Sequence, residues 1–360
     1  MSFLKTFLGG GSSAVIGVDI GTTSIKIAEL AKADKQLKLT NYALLETYGY
    51  LERANEALQT SSLKLSEDTI PAYLKLLVEH AGIQTTSAVV SVPAFLAFST
   101  LIEMPVMSEG EVKRYMELQA KQYVPLPLNT VTLDWMKVGE RPEPGGAPKQ
   151  QVLLVSIPND QIERYRKIFD RAGLHLTGVE LEGTGVARSL TFGSKTTTLI
   201  IDIGSRSTSF SVAGSGFLKF SGQTDFSGGS LTQTIANGLG ISARRAEDLK
   251  RQRGLLGFGG EHELSTLIEP ILDVIVNEAK RVSASYEQSY HEAVGRVALS
   301  GGGANLLGIE DYFKKQFTVP VLRANPFAPV NYPAVIEPVV KDTGPLLSVA
   351  IGLAIKGFIN

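Results

Sequence analysis

The chain has no cysteine. That excludes disulfides, thiolate zinc sites and a cysteine nucleophile, and it fits a reducing compartment. Histidine is scarce: His80, His175, His262 and His291 are all there are, and none has metal-site spacing. No apolar run reaches the roughly 18 residues of a membrane span, so no direct span is expected. No secretory signal is visible. Phe3-Leu4-Lys5-Thr6-Phe7-Leu8 is too short for an h-region and reads as a frayed end before Gly9-Gly10-Gly11-Ser12-Ser13. A net charge of −1 leaves no basic excess for a broad nucleic-acid surface. With 43% hydrophobic and 20% charged residues the chain is an ordinary folded one, and 360 residues favour two or more domains.

Against that plain background, Val15 to Leu30 (VIGVDIGTTSIKIAEL) stands out. Ile16, Val18 and Ile20 alternate with Val15, Gly17 and Asp19, the period of a strand. Gly21-Thr22-Thr23 breaks the run; Ile25, Ile27 and Ala28 resume it. The pattern predicts a hairpin with a carboxylate at the strand end and amides and hydroxyls packed into the turn. Such a turn suits a magnesium–phosphate complex: the N–H and O–H groups donate to phosphate oxygens, and the carboxylate faces the metal or its waters. One such turn is weak evidence, because an incidental Asp in a hairpin is the commoner explanation. The chain, however, does it twice. A shift of 183 residues carries Asp19 onto Asp202, Gly21 onto Gly204, Thr22 onto Ser205 and Ser24 onto Ser207, with Ile16 on Leu199 and Val18 on Ile201. A third glycine-bearing strand end is Leu299-Ser300-Gly301-Gly302-Gly303-Ala304-Asn305.

The rest of the pattern places these turns. Leu37 to Thr47 reads as a strand. Ser66 caps a helix to His80, with Pro71 in its first turn and Gly82 after it, and Ser87 to Val92 is a strand stopped by Pro93. The character then changes. Phe98 to Glu103 is a strand, and Ser108 with Glu111 makes a capping box for a helix to Tyr123. Val131–Val138 and Gln151–Ile157 are strands about a loop from Glu140 to Lys149, and Asn159 caps a helix ending near Gly173. This block reads as an inserted subdomain. Beyond it come a strand from His175 to Val179, a short helix from Thr184 to Leu190 and the repeat itself, Thr197 to Ala213. Helices follow over Phe226–Gly240, Ser242–Arg253 and Leu264–Tyr290, the last with Pro270 as a kink and a Gly-rich turn, Leu255–Gly260, before it. Arg296 to Leu299 is a strand, and a helix reaches Phe317. Pro320 to Pro338 reads as loop, and a final helix spans Leu346 to Ile355 after Gly344-Pro345.

The order and spacing of the three turns resemble the actin, Hsp70 and hexokinase superfamily. The resemblance implies an α/β, actin-like ATPase fold: two pseudo-repeated domains flank a nucleotide cleft and bind ATP with Mg2+. Gly21, Thr22, Thr23, Gly204, Ser205 and Ser207 are then the phosphate turns, and Asp19 and Asp202 face the metal. Gly301, Gly302, Gly303 and Asn305 lie beneath the nucleoside. Lys26 takes the place of the lysine that contacts phosphate in actin. Glu247 and Lys250, spaced to share a helix face, resemble the pair that flanks ribose and adenine in Hsp70; taken alone they are equally a solvated ion pair.

Within the superfamily the inserted block resembles FtsA, and more closely the PilM family of type IV pilus assembly proteins. The similar stretches are LQAKQYVPLPLNTVTLDW (Leu118 to Trp135) and VLLVSIP (Val152 to Pro158), then a helix and Ala172-Gly173-Leu174. The implied division is 1–93 with 174–195 as subdomain 1A, 94–173 as the FtsA-type insert 1C, 196–226 with 296–360 as 2A, and 227–295 as 2B. The last helix is free to pack back on the first domain. The implied partner is the N-terminal cytoplasmic segment of PilN, in a groove bordered by the insert. Tyr115, Tyr123 and Trp135 are candidates for that groove, though such aromatics are more often core. FtsA proteins carry a C-terminal membrane-targeting helix, whereas this sequence runs to Asn360 directly after its last apolar helix. The chain is therefore expected to be cytoplasmic and peripheral at the inner membrane through a partner, with self-association left open.

Hydrolysis needs a positioned water. The actin position of the water-orienting glutamine falls here on Gly185; Glu180 and Glu182 are near it, and spacing separates neither. No catalytic residue is assigned, and turnover is expected to be slow or absent. An FtsA-like filament former and a small-molecule kinase of the same superfamily are the alternatives.

Overall fold

The opening hairpin is the centre of a sheet. β1 (Ala14–Ile20) pairs antiparallel with β2 (Ser24–Ala33), and β2 pairs with β3 (Gln36–Glu46). The structure is a computed structural model, and it describes residues 14–33, 36–46, 68–143, 145–256 and 262–359. Ser66, Thr47, the stretch from Phe3 to Leu8 and the turn residues 257–260 lie outside them. The helix Ile70–His80 starts after Thr69 with Pro71 in its first turn, where a missing N–H costs nothing. β4 (Ser87–Val92) then runs parallel to β1 on the side away from β2, so β1 is covered on both edges and buried along almost its whole length.

The chain leaves this sheet after Pro93. β5 (Phe98–Pro105), β6 (Val131–Arg141) and β7 (Lys149–Pro158) form a separate antiparallel sheet with β7 in the middle. The helix Glu109–Tyr123 opens on the Ser108–Glu111 capping box and lays Val112 and Met116 on Ile102, Met104, Val152 and Leu154. Tyr115, Tyr123 and Trp135 pack half-buried against that same core. The helix Asn159–Ala172 ends at Gly173, whose φ of 75° is left-handed and suits only glycine well. β8 (His175–Leu181) then returns to the first sheet, parallel to β4. Its strand order is β3-β2-β1-β4-β8.

The second sheet repeats that order. β9 (Thr198–Ile203), β10 (Thr208–Gly214), β11 (Phe217–Thr224), β12 (Arg296–Ser300) and β13 (Val321–Arg323) stand as β11-β10-β9-β12-β13. β9 pairs antiparallel with β10 and parallel with β12, as β1 does with β2 and β4. β13 falls in residues the sequence pattern reads as loop, and β11 in residues it assigns to no element. The helix expected to reach Phe317 is a short one, Ile309–Lys314. The last helix is longer than expected: it runs Glu337–Lys356, straight through Gly344-Pro345. Proline removes one helical hydrogen bond, but the apolar residues from Leu347 to Ile355 are buried, and that burial outweighs the loss.

Two helices cross between the halves. Glu182–Thr191 follows β8 yet lies on β10 and β11, while Glu337–Lys356 follows β13 yet lies on β1, β2 and β4. They also pack on each other, and glycine lets them touch backbone to backbone. A Cβ on Gly352 would sit 1.8 Å from the Gly185 carbonyl oxygen, and one on Gly17 would sit 1.9 Å from that of Ala350. Gly185 therefore has a packing role. Gly352→Ala is expected to lower stability by about 1–3 kcal/mol or more, read as the urea unfolding free energy. Glu337–Lys356 lies within the one segment among the described residues long and apolar enough to cross a membrane; here it is the buried seam of the fold.

Candidate functional site

The turns after β1 and β9 open into one cleft of about 550 Å³, well within the range of small-molecule sites. Each turn closes the same way: the Gly21 N–H donates to Ser24 O at 2.9 Å and the Gly204 N–H to Ser207 O at 3.0 Å. The two turns meet at their tips, with Ser205 Oγ donating to Thr22 Oγ1 at 3.4 Å. Every residue assigned above to nucleotide or metal, from Asp19, Thr23 and Lys26 through Ser207 and Glu247 to Gly301–Gly303 and Asn305, lines this cleft.

The two strand-end aspartates are braced alike. Ser91 Oγ, from β4, donates to Asp19 Oδ1 at 3.0 Å; Ser300 Oγ, from β12, donates to Asp202 Oδ2 at 2.8 Å. β4 and β12 hold equivalent places in their sheets, so the serines are a structural pair. Ser91 gave no signal in the sequence, because the segments between aspartate and serine differ in length in the two halves. The symmetry stops at the next register position. Lys26 stands opposite Asp19 in β2, and Ser209 stands opposite Asp202 in β10. Lys26 Nζ lies 2.8 Å from Asp19 Oδ2. Burial works against its charge, yet Asp19 first and then Asp202 and Glu182 raise its pKa overall.

Three carboxylates, Asp19, Glu182 and Asp202, thus share the cleft floor with one ammonium. Burial and this surplus of negative charge act together on Glu182 and Asp202. Burial, then Asp19 and Asp202, push Glu182 up to about 8. Burial lifts Asp202 to about 6, against the pull of its Ser300 bond and Lys26. Such a floor favours a cation. Among the described residues no three acidic or histidine side chains form a metal cage. The chemistry fits a hydrated magnesium carried in on phosphate oxygens, the usual way that ion binds.

The second wall is built on glycine. Gly228 and Gly229, at the start of the helix Gly228–Leu239, donate N–H groups to the carbonyls of Gly204 and Ser205, each at 2.9 Å. A Cβ on Gly229 would lie 2.4 Å from Ser205 O. The positive end of that helix is thereby fixed beside the second turn. Glu247 and Lys250, on the helix Ala243–Arg253, are not a solvated pair. Lys250 Nζ is 2.6 Å from Glu247 Oε2 and donates to Gly228 O at 2.9 Å and Thr232 Oγ1 at 2.8 Å. Burial opposes the Glu247 charge, but Lys250, Thr232 and Arg251 bring its pKa down to about 2. Burial lowers Lys250 in turn, while its three donors all have acceptors in Glu247, Gly228 and Thr232. In the third turn Gly301 has φ 77°, and a Cβ there would meet Asp202 Oδ1 at 2.7 Å. Asn305 Oδ1 accepts from Arg323, and its amide donates to Asp342 O at 2.8 Å.

Glu180 and Glu182, inseparable in sequence, part company here. Glu180 is buried against Arg188, at 2.8 and 3.0 Å, and stands apart from the cleft; Glu182 lines it. Sequence reading also missed contacts across the cleft. Arg251 reaches Glu46 of β3 at 3.1 Å, and the Arg206 guanidinium lies over the Phe95 ring, 4.8 Å from its centroid.

The same architecture occurs in known proteins. A family model described as type IV pilus assembly protein PilM matches residues 17–358. Cell division protein FtsA of Enterococcus hirae is 24% identical over 349 residues, covering 85% of this chain and 77% of that protein. A chain of a PilM–PilN type IV pilus biogenesis complex superposes with a TM-score of 0.77 at 20% identity, over 96% of this chain and 99% of that one. MreB5 of Spiroplasma citri bound to AMPPNP superposes with a TM-score of 0.52 at 13% identity, over 96% of each chain. The fold is that of the actin-like ATPases. Because the family match runs through both five-stranded sheets and the three-stranded insert, the chain belongs to the type IV pilus assembly protein PilM family.

Proposed function

We propose that this chain is an ATP-binding scaffold of the inner-membrane platform that assembles type IV pili, cytoplasmic and held at the membrane by the N-terminal cytoplasmic segment of PilN. The observation that carries this reading is the family match across residues 17–358. The partner is supported by the relative that superposes over 96% of this chain and was solved as a PilM–PilN complex. In this reading residues 94–173 form the insert that borders the peptide groove.

ATP with Mg2+ is the ligand we assign to the cleft, supported by its paired turns and by the AMPPNP complex of MreB5. Gly21, Thr22, Thr23 and Lys26 would hold phosphate from one side, and Gly204, Ser205 and Ser207 from the other. Glu247, Lys250, Gly301–Gly303 and Asn305 would flank the nucleoside, and Asp19 and Asp202 would orient water on the magnesium. Bound ATP supplies a polyphosphate that bridges the two halves, and it stabilises the folded state by mass action. Turnover is slow or absent in this reading, with the nucleotide as a structural or switching ligand.

Calorimetric titration of the full chain with Mg-ATP, and then with a synthetic peptide of the PilN N-terminus, tests both parts. Saturable binding of each is the expected result. A peptide that fails to bind the ATP-loaded protein would remove the partner and leave the cleft; a protein blind to Mg-ATP would remove the cleft assignment.

A further inference from the structure

Among the described residues, five cations line the cleft: Lys26, Arg206, Lys250, Arg251 and Arg323. Four are committed to carboxylates. Lys26 pairs with Asp19 and Lys250 with Glu247, at 2.8 and 2.6 Å; Arg251 pairs with Glu46 at 3.1 Å, and Arg323 with Asp342 at 3.3 Å. Arg206 has no carboxylate partner among the described residues. Its guanidinium rests on the ring of Phe95, which belongs to the single 3-10 turn Ala94–Leu96 after β4. A ring face is a weaker partner for a guanidinium than a phosphate, which it can grip with two parallel charge-assisted hydrogen bonds.

Position gives this free cation a specific task. Leu306, Leu307 and Leu346 supply an apolar wall beside Gly301–Gly303, where a nucleoside fits. An anionic chain leaving that end must pass between the two turns, whose tips meet at Thr22 and Ser205. Arg206 is the next residue of the second tip, and its ring partner comes from the other half. We propose that Arg206 anchors the terminal phosphate of the bound nucleotide, so that the site prefers a nucleoside triphosphate to the diphosphate. This rests on the nucleotide reading above and adds its specificity determinant. A diphosphate ends short of the tip and leaves Arg206 on Phe95; a triphosphate reaches it and draws the guanidinium off the ring.

The test is titration of the full chain with Mg-ATP and Mg-ADP, in the wild type and in Arg206→Ala, Arg206→Lys and Phe95→Leu variants. Arg206→Ala is expected to weaken ATP roughly 10- to 100-fold and ADP less than about twofold. Arg206→Lys should fall between, because an ammonium keeps the charge and loses the fork. Phe95→Leu should leave ATP binding unchanged or tighter, since the ring is a competitor. Arg206→Ala binding both nucleotides as the wild type does, or losing both equally, would overturn the assignment and leave the cleft intact. A wild type that binds neither would overturn the nucleotide reading, and Arg206's role with it.

Discussion

Glu180→Ala is expected to cost the folded protein about 3–5 kcal/mol, the usual penalty for stripping one partner from a buried ion pair. Glu180 is the penultimate residue of β8, with its side chain almost fully buried. It accepts from Arg188 Nη1 at 2.8 Å and Nη2 at 3.0 Å, and Lys356 Nζ stands 3.8 Å away. Arg188 also donates to Gly352 O at 2.8 Å, at the crossing where Gly185 and Gly352 touch. One carboxylate thus holds two cations from the two helices that tie the halves together. Without it, both would lose a carboxylate partner in the interior. Exchanging the Glu180–Arg188 pair together for apolar residues of similar volume should recover most of the loss, because the desolvation cost leaves with the charges. The pH dependence has a definite sign. Burial alone would raise the Glu180 pKa, but Arg188 and Lys356 bring it below the ordinary value of 4.5. A carboxyl whose folded pKa is depressed stabilises the fold fully above its unfolded pKa and loses that contribution as pH falls through the folded one. The gap between wild type and Glu180→Ala in urea melts should therefore be widest near pH 7 and shrink below about pH 4. A pH-independent gap would mean that Glu180 acts through shape alone.

The difference between Glu180 and Glu182 shows where sequence reasoning reached its end. Residues two apart on a strand share a face, so spacing alone could not separate them. The strand stops at Leu181 and a helix starts at Glu182, and that break sends one carboxyl into an ion pair and the other into the cleft. What local chemistry determines was legible. The two phosphate-type turns, the strand alternation before each and the Ser108–Glu111 cap all follow from residues within a few positions of one another. β7 was legible too: its centre, Val152–Val155, is a continuous apolar run, and the strand is buried along nearly its whole length. What depends on distant partners was not. β11 holds Gly222, Gln223 and Thr224, an unpromising strand, and is there because β10 offers it an edge. The helix through Gly344-Pro345 breaks a local rule because its far end is core. Arg206 looks like any turn residue until Phe95, from the other half, is seen beneath it. The site was therefore clearest where the backbone makes it, and least clear where side chains from both halves meet.

That asymmetry bears on Asp19, for which the expected result depends on the metal. With magnesium present, Asp19→Ala should weaken ATP binding about 10- to 100-fold, the usual cost of removing a group that orients metal-bound water. With EDTA in place of magnesium, the same substitution should leave ATP binding unchanged or tighter. The reason lies in the floor charges. Asp19 neutralises Lys26 at 2.8 Å and shares the floor with Glu182 and Asp202. Removing it frees the ammonium for phosphate oxygens and takes one negative charge away from the approaching polyphosphate, which favours the bare anion. The same change withdraws a carboxylate from the hydrated dication, which disfavours the metal complex. A role in metal binding therefore predicts opposite signs in the two titrations. A merely structural role for Asp19, with Ser91 and Lys26 collapsing when it is lost, predicts weakening in both. Asp202→Ala should give the magnesium-dependent loss with a smaller gain in EDTA, since it removes a floor charge but the residue opposite Asp202 is Ser209 and no paired ammonium is released. If the two variants behave identically in EDTA, the Lys26–Asp19 pair does not hold its ammonium back from phosphate. The Lys26 ammonium would then be as open to phosphate with Asp19 in place as without it.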